Sequence, residues 1–541
     1  MIKLQPNSTL HSIASILGVA IVLVGWAIPS SAMDIPVVPG LFGWGTDTPA
    51  GRGGEVIRVT NLNESGPGSF RSAVEASGPR VVVFETSGTI VLRDWIRITD
   101  PFLTIAGQTA PSPGITLRGA GLRIMTHDVL VQHLRIRVGN EANRAGPAKG
   151  ERDGIEILSN NQDCYNIVID HCSASWAIDE TMSVYVPNRD YSCYDITISN
   201  CIISEALMEG HPNPDHKGDA LLVGSTNGGI AERISFIKNV LAHNNARNPT
   251  TQASPFAFIN NFVWDWGGKC VLLRSEGRPN QSSLIGNTFI RSTQSANSPP
   301  IRLENTLLTG SAIYLEDNLA PGYSEIYVNE SNRNYLTNEA LELPPDMILM
   351  PSVAVEDVLL ARCGARPFDR DDVDYRVISN IRGRNANFIG NQEEVGGWPI
   401  LSETSRPLYL PSNPNADSDG DGYTNLEEWL HSFSEEVAGG ADVTAIPDKD
   451  VFLVQDYVLD QNFPNPFNPA TTIGYAIEHD GWVTLKVYNI LGQDIETLVD
   501  EYQTAGRKLV NFDAEDLSAG IYVYRLDVGS TGETRKMLLV K

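Results

Sequence analysis

The segment HNNARNPTTQ, residues 243–252, carries a single arginine, Arg247, two positions before Pro249. A guanidinium in a polar stretch is ordinarily a solvated surface cation. It becomes chemical only where burial and other charges converge on it. A second stretch is more explicit. DSDGDGYTNLEE, Asp417 to Glu428, matches the D-x-D-x-D-G-x5-E pattern of a calcium loop. Asp417, Asp419 and Asp421 offer carboxylates, Tyr423 a backbone carbonyl and Glu428 a bidentate carboxylate, while Gly422 permits the sharp turn. The preceding PSNPNA cannot form the usual entering helix, so half of an EF-hand is expected, holding Ca2+ as a clip between domains. The plain alternative is a solvated acidic linker.

The elements that must position these residues are bounded by the bulk numbers. A chain of 541 residues exceeds one ordinary domain, so two or three are expected. A net charge of −26 excludes a general nucleic-acid binder, which needs clustered Lys and Arg. Residues 1–32 read as a signal peptide: Lys3, an apolar core from Ala14 to Ile28, and small residues at Ser30–Ala32 for cleavage. No later segment is apolar enough to span a membrane, so the mature chain is expected outside the cytoplasm, as a monomer without a membrane span.

Between about 128 and 320 a motif recurs: a β-branched run, then Asn or His, then another apolar pair. Taking His133, His171, Asn200, Asn239, Asn261, Asn287 and Asn318 as equivalent gives steps of 38, 29, 39, 22, 26 and 31. Irregular steps around a fixed strand pattern suit a solenoid whose coils vary in their loops. The expected fold is therefore all-β: a parallel β-helix, with the asparagines stacked as a ladder at a bend. A β-sandwich is the competing reading, disfavoured because hairpin turns at regular short spacing are missing. Cys164 and Cys193 lie 29 positions apart, as do Cys172 and Cys201. On adjacent coils these pairs are disulfide candidates in an exported protein, with stacked buried thiols as the alternative. Composition changes near 400. The expected domains are a β-helix over 33–404, a linker over 405–450 containing the acidic loop, and a small β-sandwich over 451–541.

Taken in order, NIVIDHCSASW, HKGDALLVGS and HNNARNP make residues 36–400 resemble the pectate lyases with a right-handed parallel β-helix. LDQNFPNPFNPATTIGYAI, VYNILGQDIETLV and GIYVYRL make the C-terminus similar to the type IX secretion sorting domain. The second resemblance implies export through the periplasm to the cell surface or medium by the type IX machinery. The first implies calcium-assisted β-elimination on pectate or a related acidic plant or algal polysaccharide. It gives Arg247 the role of proton acceptor and Lys217 that of a substrate-binding cation whose charge would lower the pKa of Arg247. Such a base implies an alkaline optimum. Glu151, Asp153 and Asp179 fall on family calcium positions, the first two expected on one face of a strand. Two positions depart from the family: Ser183 replaces a fourth acid, for which Glu180 could compensate, and Gln252 replaces a substrate-binding arginine. Arg274 and Arg278 are candidates to restore that positive charge. These departures keep a rival reading open, a non-catalytic uronate-binding or structural surface protein on the same scaffold.

Overall fold

The computed structural model describes residues 35–141, 149–345, 347–438 and most of 457–540. The signal peptide expected at 1–32 lies outside the described residues, as do 439–456. The chain divides into two compact units, Met1–Ala441 and Asp442–Lys541.

The first unit is a parallel β-helix. Its strands fall into three sheets of eleven, nine and eight strands, and every pairing within them is parallel. One coil shows how the sequence builds it. Glu180–Val186 lies in the nine-stranded sheet, Ser192–Ser199 in the eleven-stranded sheet and Ile202–Ser204 in the eight-stranded sheet. Alternating apolar residues point inward and stack coil upon coil. Val129, Ile167, Ile196, Ile234 and Phe256 form one buried column; Val131, Ile169, Ile198, Phe236 and Phe258 form the next. β-Branched and aromatic side chains suit this pleated interior.

The asparagine ladder is present, one residue out of the expected register at one end. Asn239 Nδ2 donates to Asn261 Oδ1 at 3.0 Å, Asn261 to Asn287 at 3.1 Å, and Asn287 to Asn318 at 2.8 Å. The Cys201 N–H donates to Asn239 Oδ1, and the Cys172 N–H faces Cys201 Sγ at 3.4 Å. The ladder therefore continues through Cys201 and Cys172. Asn200, His171 and His133 occupy the preceding corner, where φ is 51°, 48° and 57°. The left-handed corner tolerates Asn and His better than β-branched residues, which is why they recur beside the ladder and mimic it in sequence.

All six cysteines are buried, unbonded thiols, so neither expected disulfide is formed. Cys164 and Cys193 are register partners on adjacent coils. Stacked side chains on neighbouring parallel strands lie about 4.8 Å apart, beyond the roughly 3.8 Å between the Cβ atoms of a disulfide.

Helices cover parts of the solenoid. Ser352–Arg362 and Asp372–Gly383 bury Val355, Leu359, Val377 and Ile381 against Ile202, Val240, Phe262 and Trp264. Arg137 donates to Asp374 Oδ1 at 2.7 Å and to Asp371 Oδ1 at 3.1 Å, all three side chains being fully buried. The sequence reading contained neither helix. The segment expected as a linker from 405 was also expected to turn briefly helical after its acidic loop, and the helix runs further, into the stretch 431–450 expected as plain linker. Asn425–Ala438 is a helix that sets Leu426 and Leu430 on Val81, Val83 and Ala106 of the solenoid.

The second unit has an antiparallel sheet of three strands and another of four, Tyr475 and Ile473 of one sharing a core with Leu485 and Tyr524 of the other.

Candidate active site

Successive coils bring one edge of the nine-stranded sheet together. Glu180 opens the strand Glu180–Val186 and pairs in register with Asp219, which opens Asp219–Ser225. Asp219 in turn bridges to Ala246, and the Leu221 N–H donates to the Arg247 carbonyl at 2.8 Å. Arg247 itself has φ of 57°. Its guanidinium forms an ion pair with Glu180, lies 3.3 Å from Asp219 Oδ2 through Nε, and approaches His216 Nε2 to 3.5 Å through Nη2. His216 Nδ1 faces Asp179 Oδ1 at 3.1 Å.

Negative charge dominates this edge. Asp153, Asp179 and Glu180 bring carboxylate oxygens within 4.8 Å of one another. Asp153 also accepts from Ser183 Oγ at 2.9 Å. Burial, then Glu156 and Asp179, push the Asp153 carboxyl well up from its ordinary value. Burial also raises Glu156, against the opposing pull of its ion-pair partner Arg123. Asp219 is 3% exposed, and its Oδ2 accepts no hydrogen bond. Burial raises it to about 7; His216 opposes the rise and Asp179 adds to it. Burial lowers the pKa of Arg247. Asp179 opposes that shift, Arg274 adds to it and Asp153 opposes it.

The residues singled out in the sequence are distributed unevenly. Asp153, Asp179 and Arg247 converge, with Glu180 beside them. Glu151 does not: it is exposed in a 3-10 turn, Lys149–Glu151, and the strand begins only at Ile155, so the two acids do not share a strand face. Lys217 is exposed in the turn beside Arg247, its carbonyl accepting from Asn245 Nδ2 at 2.8 Å. The cation lowering the Arg247 pKa is Arg274 rather than Lys217. Arg274 Nε lies 3.0 Å from Glu304. Arg278 is held elsewhere, by Glu232 at 3.0 Å and the Ala231 carbonyl on the eleven-stranded sheet. Gln252 is half-buried, and its Oε1 accepts from the Ser225 N–H at 2.9 Å. Asp219, His211, His216 and Glu156 were missed. The signal was available for two of them: His216 and Asp219 flank Lys217 in DHKGDALL.

The acidic loop closes on itself. Asp417 accepts from the Gly420 and Gly422 N–H groups at 2.6 and 3.1 Å, and Asp421 from the Tyr423 N–H at 2.8 Å. Asp417, Asp419 and Asp421 are exposed and gathered within ligand distance of one another. The Glu428 carboxyl is raised by desolvation and by these three charges. The Tyr423 hydroxyl donates to the Pro36 carbonyl at 2.7 Å, tying the loop to the start of the solenoid.

Comparison with known proteins agrees with this fold. Probable pectate lyase C of Aspergillus flavus is 32% identical over 426 residues, covering 73% of this chain and 93% of its own length. This chain belongs to the pectate lyase family. It is accordingly a lyase. Probable pectate lyase C of Emericella nidulans is 30% identical over 428 residues, 74% of this chain and 93% of its own. Among solved structures, the cedar pollen allergen Jun a 1 has 17% identity and a TM-score of 0.43, covering 59% of this chain and 91% of its own. Pectate lyase Bsp165PelA from Bacillus sp. N165, in complex with trigalacturonate, has 16% identity and a TM-score of 0.41 over 59% of this chain and 95% of its own. Residues 461–541 match the secretion system C-terminal sorting domain. No helix among the described residues is long and apolar enough to cross a membrane.

Proposed function

We propose that the chain cleaves de-esterified polygalacturonate by β-elimination at the Arg247 edge. Arg247 takes the proton from C5, next to the uronate carboxylate. The electron pair forms the C4–C5 double bond, and the C4 glycosidic oxygen leaves and is protonated from water. Arg247 set among Glu180, Asp219 and His216 is the observation that carries this reading. Burial works in its favour, since it lowers the pKa of the guanidinium. Activity should therefore rise toward alkaline pH, as the small deprotonated fraction grows.

The donor set suits a hard divalent cation: the carboxylate oxygens of Asp153, Asp179 and Glu180 are crowded within 4.8 Å of one another. Asp153, Asp179 and Glu180 would hold Ca2+. Bound there, the ion supplies positive charge against the uronate carboxylate where negative charge develops. Lys217, exposed beside Arg247, pairs with a second uronate carboxylate. The loop Asp417–Glu428 takes a separate, structural Ca2+. The sorting domain supports delivery by the type IX machinery after export through the periplasm, with the N-terminal signal removed.

A second reading, uronate binding without cleavage, is favoured by Gln252, whose side-chain oxygen is engaged by the Ser225 N–H. One assay separates the two. Polygalacturonate, alginate and ulvan are incubated with the protein and calcium at alkaline pH, and unsaturated uronates are followed by near-ultraviolet absorbance. Product from polygalacturonate, reduced about 10²- to 10⁴-fold in Arg247→Ala and slowed by chelator, is expected. Polymer retention without product refutes cleavage.

A further inference from the structure

Calcium does not account for two imidazoles at the same edge. His211 and His216 stack with ring centroids 4.5 Å apart and planes 14° apart. Both point a nitrogen at one oxygen: His216 Nδ1 lies 3.1 Å from Asp179 Oδ1, and His211 Nε2 lies 3.8 Å from the same atom. The second distance is too long for a hydrogen bond. Among the described residues His211 Nε2 has no hydrogen-bond partner, although the side chain is only 9% exposed.

We propose that Asp179, His211 and His216 form a binding site for a borderline divalent transition metal such as Zn2+ or Co2+, beside the calcium set proposed above and sharing Asp179 with it. The argument is geometric first. The three ligand atoms lie within 4.8 Å of one another. Metal–ligand bonds of about 2.0–2.1 Å in a tetrahedron place ligand atoms about 3.4 Å apart, and the two observed separations bracket that value. The surroundings complete the set. Asp219 Oδ2, buried and accepting no hydrogen bond, faces His216 Nδ1 at 3.6 Å and offers a further ligand. On the far side of His211, Nδ1 lies 3.0 Å from both the carbonyl and the N–H of Asn213, so the ring can hold its proton on either nitrogen. With a metal on Nε2, Nδ1–H donates to that carbonyl and fixes the ring, the usual outer-shell arrangement for a ligating histidine.

The ligand chemistry selects the class of ion. Imidazole suits Zn, Co, Ni and Cu, whereas Ca2+ takes oxygen ligands. Asp179 is shared with the proposed calcium set, so the two ions would bridge through one carboxylate. A metal on His216 Nδ1 also leaves the proton on Nε2, opposite the Arg247 Nη2 donor 3.5 Å away. Occupancy therefore bears directly on the arginine.

The test uses the full chain without a histidine tag, stripped of metal and held in excess Ca2+, with Co2+ as the probe. Visible absorption and calorimetry should report one Co2+ per chain that Ca2+ does not displace. His211→Gln and His216→Gln should each weaken it at least about tenfold, and Asp417→Asn should leave it unchanged. No Co2+ uptake in excess Ca2+, or an affinity unchanged from wild type in either histidine variant, overturns the proposal. Should either variant fail to fold, X-ray absorption of the Co2+-loaded wild type decides. Imidazole scattering supports the site and an all-oxygen shell refutes it.

Discussion

Asp219→Asn isolates the cost of the acidic edge. The side chain is buried, and its carboxyl titrates near 7 in the fold against an ordinary 3.8. Burial is the main cause, outweighing the opposing pull of His216. Between those two values the folded chain holds a proton that the unfolded chain has lost. Unfolding then releases that proton, so stability falls as pH rises through the window and levels off above about 7. Each tenfold change in proton affinity is worth about 1.4 kcal/mol, so the whole window is worth about 4 kcal/mol. Asparagine has the same shape and no titration. In chelator, wild type and Asp219→Asn should melt together at about pH 4, where both side chains are neutral. At about pH 8 the variant should be the more stable by up to about 4 kcal/mol. For a unit of roughly 400 residues the entropy of unfolding is about 0.8 kcal/mol per degree, so the midpoint should rise by about 5 °C. Adding Ca2+ should narrow the gap, because a cation held by Asp153, Asp179 and Glu180 favours the ionised form of the neighbouring Asp219. Thermal melts by circular dichroism at both pH values, with and without Ca2+, make the measurement. A variant destabilised equally at both pH values would show that Asp219 acts as a plain ion-pair partner of Arg247, and the reasoning would fail.

Glu428→Gln in the full chain should lower the number of tightly bound Ca2+ ions by one in equilibrium dialysis, since it removes the bidentate ligand of the Asp417–Glu428 loop. Asp374→Ala leaves Arg137 short of a buried partner and should cost about 3–5 kcal/mol of stability in denaturant titration. Thiol labelling of the denatured, unreduced protein should count six reactive cysteines, because all six are unbonded in the fold.

Much of the solenoid was legible because its signals are local. Runs such as NIVIDH and DITISN show period-2 apolar residues followed by a polar corner, and that pattern is the coil. The register of the ladder was not legible at Cys172 and Cys201. There a buried thiol stands where later coils carry asparagine, while the corner residue before it is His or Asn. The helix Asp372–Gly383 was hidden for a different reason. Its first turn is acidic, and Asp371 and Asp374 are drawn into the interior by Arg137, more than 230 positions earlier, which no local pattern shows. At the site, Arg247, Asp153 and Asp179 were reached through motif order. Asp219 was not, although it stands two positions after Lys217, because its role depends on stacking between coils: Glu180 meets Asp219 only through a register that closes 39 positions later.

The coil-by-coil construction of the edge has a consequence for how such a protein changes. Glu180, Asp219, Arg247 and Arg274 enter from successive turns, each beside a strand whose inward side chains fill the interior independently. The chain spent per turn ranges from 22 to 38 residues with no break in the ladder. Charge, donor type and loop length can thus be exchanged one turn at a time, like beads restrung on a fixed cord. The ligand taken by this edge can drift from one ion or sugar to another while the stack beneath it keeps its shape.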